Sequence, residues 1–298
     1  MNYTEKIKQF QNEYVPSHDT YSQTFYHYTK LSTLNEILKK RELWFTDIEF
    51  QNDTAEFRHG LNLAKQVFVD VKASMNLSDF AKDIANSYEK EINNMGKNFR
   101  IFTFSLTRNQ DSLANWSRYA RSNQGVSIGF DISQIGLAEG KPTASFVPYQ
   151  VIYDNSAQVK AFEKLFKLSL DHIQKNQGLT KEEIRIIGSL AIAMATYLCS
   201  FFKNEHFQDE NELRFIKSID VRESNEVQFR FQNETMIPYI ICKLDNEKIR
   251  SANLIKELIL AHGAKMNRAA IDIFGKKYGL DPNIIHDSKV SYRAEYGG

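Results

Sequence analysis

In the run Asp209-Glu210-Asn211-Glu212-Leu213-Arg214-Phe215-Ile216, charge falls at every second residue from Glu210 to Arg214, with Leu213 and Phe215 on the alternate positions. Successive side chains of a strand point to opposite faces. Leu213 and Phe215 would then enter a core, while Glu210, Glu212 and Arg214 share the other face. Carboxylates and a guanidinium are costly to bury without partners. One reading is a solvated strand start with an ion pair worth little. The other is a site, in which such carboxylates accept a proton or stabilise positive charge developing during a reaction.

Three further stretches carry polar groups in apolar frames. His27 lies in Phe25-Tyr26-His27-Tyr28-Thr29, where a buried strand calls for Val, Ile or Phe. His27 and Thr29 share one face, Tyr26 and Tyr28 the other. A core histidine donating to a backbone carbonyl would explain the pattern as well as a ligand-binding one. In Phe102-Thr103-Phe104-Ser105-Leu106-Thr107 the three hydroxyls share a face, as in any sheet with one solvated side. Trp116 and Tyr119 are three apart and adjacent on a helix. They either stack on a planar ligand or plug the core, and core packing is the stronger expectation for Trp116.

Other chemistries lack their signatures. No histidine or cysteine has the spacing of a zinc site, so no metal is expected. There is no G-x-S-x-G nucleophile elbow. Neither G-x-G-x-x-G nor G-x-x-x-x-G-K occurs, which removes the fingerprints of a Rossmann or P-loop nucleotide site.

Elements must hold these residues. The periodicity predicts helices over residues 1–15, from Leu31 (with Thr33 and Glu36 as a capping box), from the NDTAEF segment onward, and over 78–95. It also predicts helices over 111–120, capped by Asp111 or Ser112, and over 155–175, 180–204 and 266–278. Strands are predicted at 24–28, 43–45, 98–107 and 125–132, within 144–154, and in NELRFIK, NEVQFRF, MIPYIICKL and IKELILA. Strands and helices do not alternate as βαβ units, which points to an α+β fold with a mostly antiparallel sheet. Residues 1–298 read as one domain, with 1–22 as an N-terminal helical extension and 155–204 as a helical insertion covering the sheet.

The chain has 298 residues, 42% hydrophobic and 25% charged, with net charge +1. That is a globular composition with no global field for nucleic acid or membrane. Two cysteines far apart, Cys199 and Cys242, fit a reducing cytosol. The polar N-terminus does not read as a signal peptide. The apolar window Ile186–Phe202 reads as a core helix rather than a membrane span. A cytoplasmic protein is expected.

In FYHYTKLSTLNEILKKRELWFTD, QND with Glu56, FTFSLTRNQDSLANWSRYARSNQGVSIGFD, Val151-x-Tyr153, DENELRFI and IKELILAHG, the sequence resembles the bacterial domain-of-unknown-function family numbered 2971. Where that family carries a cysteine before the Phe-Ser pair, Thr103 stands here. A looser similarity, of YHYT followed by a helix and of a late strand entered by Glu-x-Glu, is to the ADP-ribosyltransferase superfamily. That likeness implies a split sheet, NAD as substrate and three site positions. His27 matches the first and Glu212 the last, and either Tyr119 or Ser105 takes the middle.

On that resemblance His27 binds the adenosine ribose and Thr29 lies beside it. Tyr28 or Tyr119 stacks on nicotinamide, with Trp116 near. Glu212 stabilises the cationic ribose, and Glu210 orients or deprotonates the acceptor. Arg214, Arg118 or Arg121 holds the pyrophosphate. His27, Tyr119 and Glu212 are expected to line one pocket of dinucleotide size, a few hundred Å³ or more. Glu212→Gln is expected to stop the reaction and leave the fold intact. The acceptor would be a nucleic acid or a protein, and a toxin or phage-defence role goes with such enzymes by association. The rivals are a non-catalytic nucleotide- or partner-binding module, and a nucleic-acid enzyme using Lys39, Lys40, Arg41, Arg118 and Arg121.

Overall fold

The chain forms a mostly antiparallel open sheet with flanking helices, in a computed structural model that describes residues 2–15, 24–51, 56–97, 99–120, 124–132, 148–220, 225–232, 234–244 and 254–290. Arg121, the Asn52-Asp53 pair and residues 16–22 and 144–147 of the predicted elements lie outside the described residues.

Strand β3 (Phe99–Thr107) is the hub of the sheet. One of its edges pairs along its whole length with β6 (Glu212–Asp220), from Phe99↔Asp220 to Thr107↔Glu212. Two strands divide the other edge. β2 (Glu42–Asp47) meets it at Phe102 and Thr103, and β1 (Thr24–Lys30) meets it at Thr107. Between them the sheet splits. One wing continues from β1 through β4 (Gly125–Asp131) and β9 (Ile255–Leu260) to the parallel strand β10 (Ile285–Asp287). The other runs from β2 through β8 (Thr235–Lys243) to β7 (Gln228–Gln232). Short β5 (Tyr149–Gln150) adds to β6.

Helix α2 (Leu31–Lys40) ties the wings together. It buries Leu34, Ile37 and Leu38, the spacing of one helical face. Strand β1 runs straight into it, so Lys30 is the N-cap and Thr33 already lies in the first turn. The predicted Thr33–Glu36 capping box therefore does not form, and Glu36 pairs with Lys40 at 2.9 Å. Neither Asp111 nor Ser112 caps α5 (Leu113–Tyr119) through its side chain. Asp111 accepts from Trp116 Nε1 (2.6 Å) and Ser288 Oγ (2.7 Å) instead. Helix α5 sits close on the strands: a Cβ on Gly125 would come within 2.5 Å of the Thr29 carbonyl and 2.4 Å of Ala120 Cβ.

Helices α1 (Tyr3–Tyr14), α3 (Glu56–Ser74), α4 (Asp79–Asn93), α6 (Asn155–Lys175) and α7 (Lys181–Cys199) pack on the face of β3 and β6 that carries Ile101 and Ile216. Helices α6 and α7 thus lie over this face of the sheet. Helix α7 stops at Cys199 and not near 204, because Phe202 bridges to Ile152 and draws the chain out of the helix. The opposite face, with Phe104, Leu106, Leu213 and Phe215, joins α2, α5 and α8 (Arg268–Lys277) in a second core. Among the described residues no helix is long and apolar enough to cross a membrane.

Candidate functional site

The β3–β6 register decides where the charges go. Paired residues share a face, so Thr107 stands beside Glu212 and Ser105 beside Arg214 on the side of the helical layer. The predicted alternation holds for Glu212 and Arg214, but that face is not solvated. Arg214 is 0% and Glu212 4% exposed. Glu210 is not on the strand at all. It ends a 3₁₀ helix, Glu205–Glu210, and Asn211 turns the chain at φ 46° before β6 begins. The β3 end staples this turn, through Thr107 Oγ1 to the Glu210 carbonyl (2.6 Å) and Asn109 Nδ2 to the Asp209 carbonyl (2.8 Å).

Two residues that the sequence reading gave no role complete the cluster. Lys203 Nζ contacts Glu210 Oε2 at 2.6 Å, Glu212 Oε2 at 2.9 Å and Glu56 Oε2 at 3.5 Å. Arg214 grips Glu212 with Nε and the neighbouring amino group (2.7 and 2.8 Å), pairs with Glu56 and donates to the Ser200 carbonyl at 2.9 Å. Glu56 opens α3, and Lys203 closes the apolar run after α7. A lysine ending the most apolar window of the chain was the available signal for Lys203. Burial would raise the Glu212 carboxyl, but Arg214 and Lys203 prevail and hold it at about 2. Burial dominates at Glu56, whose pKa is raised despite the same two cations.

This network corrects two expectations. Arg214 cannot hold a pyrophosphate, since its donors are engaged by Glu212, Glu56 and Ser200. Nor would Glu212→Gln leave the fold untouched, because it removes the shared partner of two buried cations. Arg118 is also engaged, donating to Asp209 Oδ1 (2.9 Å) with Glu210 Oε1 at 3.4 Å.

At the split in the sheet lies a recess of about 50 Å³, lined by His27, Tyr28, Ser105, Asn115, Tyr119, Glu210 and Glu212 among others. His27, Tyr119 and Glu212 therefore do meet. The recess is nonetheless far smaller than a dinucleotide. The dinucleotide-sized space is an adjoining groove of about 630 Å³ between the wings, which Glu212 does not line. His27, Tyr28 and Tyr119 line both cavities. Thr29 and Arg118 line the groove only, and Ser105 the recess only. Because these spaces open through the split, residues from both faces of β1 reach them.

His27 satisfies the Ser105 carbonyl at the split, Nδ1 donating over 2.9 Å. That bond fixes the tautomer and leaves Nε2 as an acceptor. Burial lowers the pKa of His27, with the Ser105 carbonyl opposing. Tyr28 has its hydroxyl engaged, donating to the Asn109 carbonyl and accepting from Ser112 N, both at 2.8 Å. Trp116 packs edge-on to Tyr28 with ring centroids 4.6 Å apart and is 3% exposed. It plugs the core and reaches neither cavity. Tyr119 is half-buried beside Lys203, Glu212 and Glu210, and desolvation raises its pKa. Asn115 was passed over in the sequence. Its side chain lines the recess, with Nδ2 buried and without a hydrogen-bond partner. Ser105 Oγ is likewise unpartnered. Among the described residues no group of three or more His, Cys, Asp or Glu side chains is placed to hold a metal.

The fold and site define an open antiparallel sheet, split around a recess with buried charge behind it. A family model, protein of unknown function (DUF2971), matches residues 115–215 of this chain. The match takes in Tyr119, Lys203, Glu210, Glu212 and Arg214, and leaves out His27, Glu56 and Ser105. No curated protein and no solved structure matches the chain.

Proposed function

We propose that the protein is an ADP-ribosyltransferase-like enzyme that takes NAD as substrate. The observation that carries this reading is the convergence of His27, Tyr119 and Glu212, from three distant parts of the sequence, on one recess at the split of the sheet. The adjoining groove has the volume of a cofactor-sized ligand site. His27 Nε2 would accept from a ribose hydroxyl. The Tyr28 and Tyr119 rings would flank the nicotinamide end. Glu212, ionised and held by Arg214 and Lys203, would lie nearest the ribose carbon that becomes cationic as nicotinamide leaves. Asn115 Nδ2 and Ser105 Oγ would supply donors within the recess. The acceptor, whether nucleic acid or protein, follows from the same resemblance and has no separate support in the geometry.

A second reading is favoured by one observation. Both Glu212 carboxylate oxygens are already bonded to cations, as in a structural ion network. On that reading the groove binds a nucleotide without turning it over. The test is release of nicotinamide from NAD, or labelling of an acceptor, by purified protein. Tyr119→Phe is the discriminating variant, since it removes one hydroxyl beside Glu210 and no buried charge. A loss of tenfold or more in kcat with an unchanged melting temperature supports the enzyme. Binding of NAD with no turnover in the wild type gives the binding module instead.

A further inference from the structure

We propose that Arg230 forms an anion subsite on the β2–β8–β7 wall of the groove, and that this subsite holds the diphosphate of a bound dinucleotide. The identity of the ligand rests on the NAD reading above. The anion site itself rests on the surroundings of Arg230.

Three other buried or half-buried arginines each have two carboxylates. Arg100 pairs with Asp47 and Glu49, Arg118 with Asp209 and Glu210, and Arg214 with Glu56 and Glu212. Arg230 lines the groove and has no carboxylate partner among the described residues. Its guanidinium lies 5.9 Å from the ring centres of both Trp44 and Tyr239 and, among the described residues, donates to Thr46 Oγ1 alone, at 3.0 Å. Its Nε is buried with no hydrogen-bond partner. The two acidic side chains that line the same groove are engaged elsewhere. Glu36 pairs with Lys40, and Glu42 accepts from Trp44 Nε1 at 3.4 Å.

Strand alternation explains the placement. Gln228, Arg230 and Gln232 share one face of β7, and the pairings Gln228↔Tyr239 and Thr46↔Tyr239 bring Tyr239 and Thr46 onto the same surface. A desolvated cation without a counter-ion is unfavourable, and burial does lower the pKa of Arg230. An arginine nevertheless stays charged. Its planar fork matches phosphate oxygens, and two aromatic rings hold it in place before any ligand arrives. With Arg214 and Arg118 engaged by carboxylates, Arg230 supplies the charge that the sequence reading sought from them, from the opposite wall.

The experiment measures binding of ADP-ribose, inorganic pyrophosphate and adenosine by calorimetry, for the wild type, Arg230→Gln and Arg230→Lys. Trp44 emission gives a second readout in each case. The wild type should bind ADP-ribose at least tenfold more tightly than adenosine. Arg230→Gln should weaken ADP-ribose by roughly tenfold to a hundredfold and leave adenosine unchanged. Arg230→Lys should recover part of the loss. Melting temperatures should be equal or higher for Arg230→Gln, because a half-buried charge without a carboxylate partner among the described residues has been removed.

Unchanged ADP-ribose affinity in Arg230→Gln would overturn the assignment, even if NAD is consumed as before. Pyrophosphate binding that depends on Arg230, with no affinity for NAD or ADP-ribose, would keep the anion site and remove the NAD reading. A single-stranded oligonucleotide that binds more tightly than ADP-ribose, with a steep salt dependence, would overturn the dinucleotide as ligand.

Discussion

Replacing Lys203 by Met tests the buried network most directly. Nζ lies within 3.5 Å of Glu56, Glu210 and Glu212. Methionine has a similar volume and no charge, so packing changes little. Among the described residues Arg214 is then the one fully buried cation left for Glu56 and Glu212, and Glu210 keeps only the half-exposed Arg118. Removing one partner of a buried ion pair costs about 3–5 kcal/mol, because the other charges remain desolvated. For a chain of this length the unfolding entropy is about 0.6 kcal/mol per kelvin, so the melting temperature should fall by about 5–8 °C. The deficit should also depend on pH. Without Lys203, Glu56 loses one of the two cations that oppose its burial, so its folded-state pKa, already raised, lies further above its unfolded value. Such groups contribute stability below the unfolded pKa and lose it as pH rises through the folded one. The gap between Lys203→Met and wild type should therefore be widest near pH 8 and narrow towards pH 5. Urea denaturation at both pH values is the assay. A deficit under 1 kcal/mol, or one that does not vary with pH, would refute the reasoning.

Other outcomes follow from the same geometry. Glu212 has its pKa held at about 2, against an unfolded value near 4.5, so it stabilises the fold above pH 4.5 and loses that contribution as pH falls towards 2. The loss is about 3 kcal/mol, visible in acid titration of unfolding and missing from Glu212→Gln. His27→Phe keeps the ring stack on Phe104 but leaves the Ser105 carbonyl unpaired at the split. It should cost about 1–3 kcal/mol by denaturant titration, and an unaltered midpoint would sink the idea. Gly125→Ala forces a Cβ onto the Thr29 carbonyl and Ala120. A loss of about 1–3 kcal/mol is expected, together with weaker binding in the groove as α5 and Tyr119 shift. Wild-type melting and affinity in that variant would contradict the close approach.

Much of the fold was legible because its strands alternate cleanly. Phe104, Leu106, Leu213 and Phe215 announced one face, and Thr103, Ser105 and Thr107 the other. The helices over α1 to α4 and over α6 declared themselves by period. Strand β10 was not legible, because three residues carry no pattern. The site was legible in part. His27 and Glu212 stood out as polar groups in apolar frames, and strand parity placed Glu212 with Arg214 correctly. Parity could not tell a solvated face from one covered by α3 and α7, since the cover comes from distant sequence. For the same reason Glu56 and Lys203 were unseen as partners. Arg230 sits in an exposed-looking strand, and only the folded wing shows that no carboxylate among the described residues reaches it.

The hub arrangement of β3 has a consequence for synthesis. The strand is complete by residue 107, yet its full-length partner β6 begins only at residue 212. A chain emerging from the ribosome therefore carries one β3 edge without its ladder while β4, α6 and α7 are still being made. Glu56 waits through the same interval for Lys203 and Arg214. Such long-range closure slows folding and leaves an edge open to wrong pairings. The wall of the recess can form only after residue 214 has been added, so every shorter nascent chain lacks it.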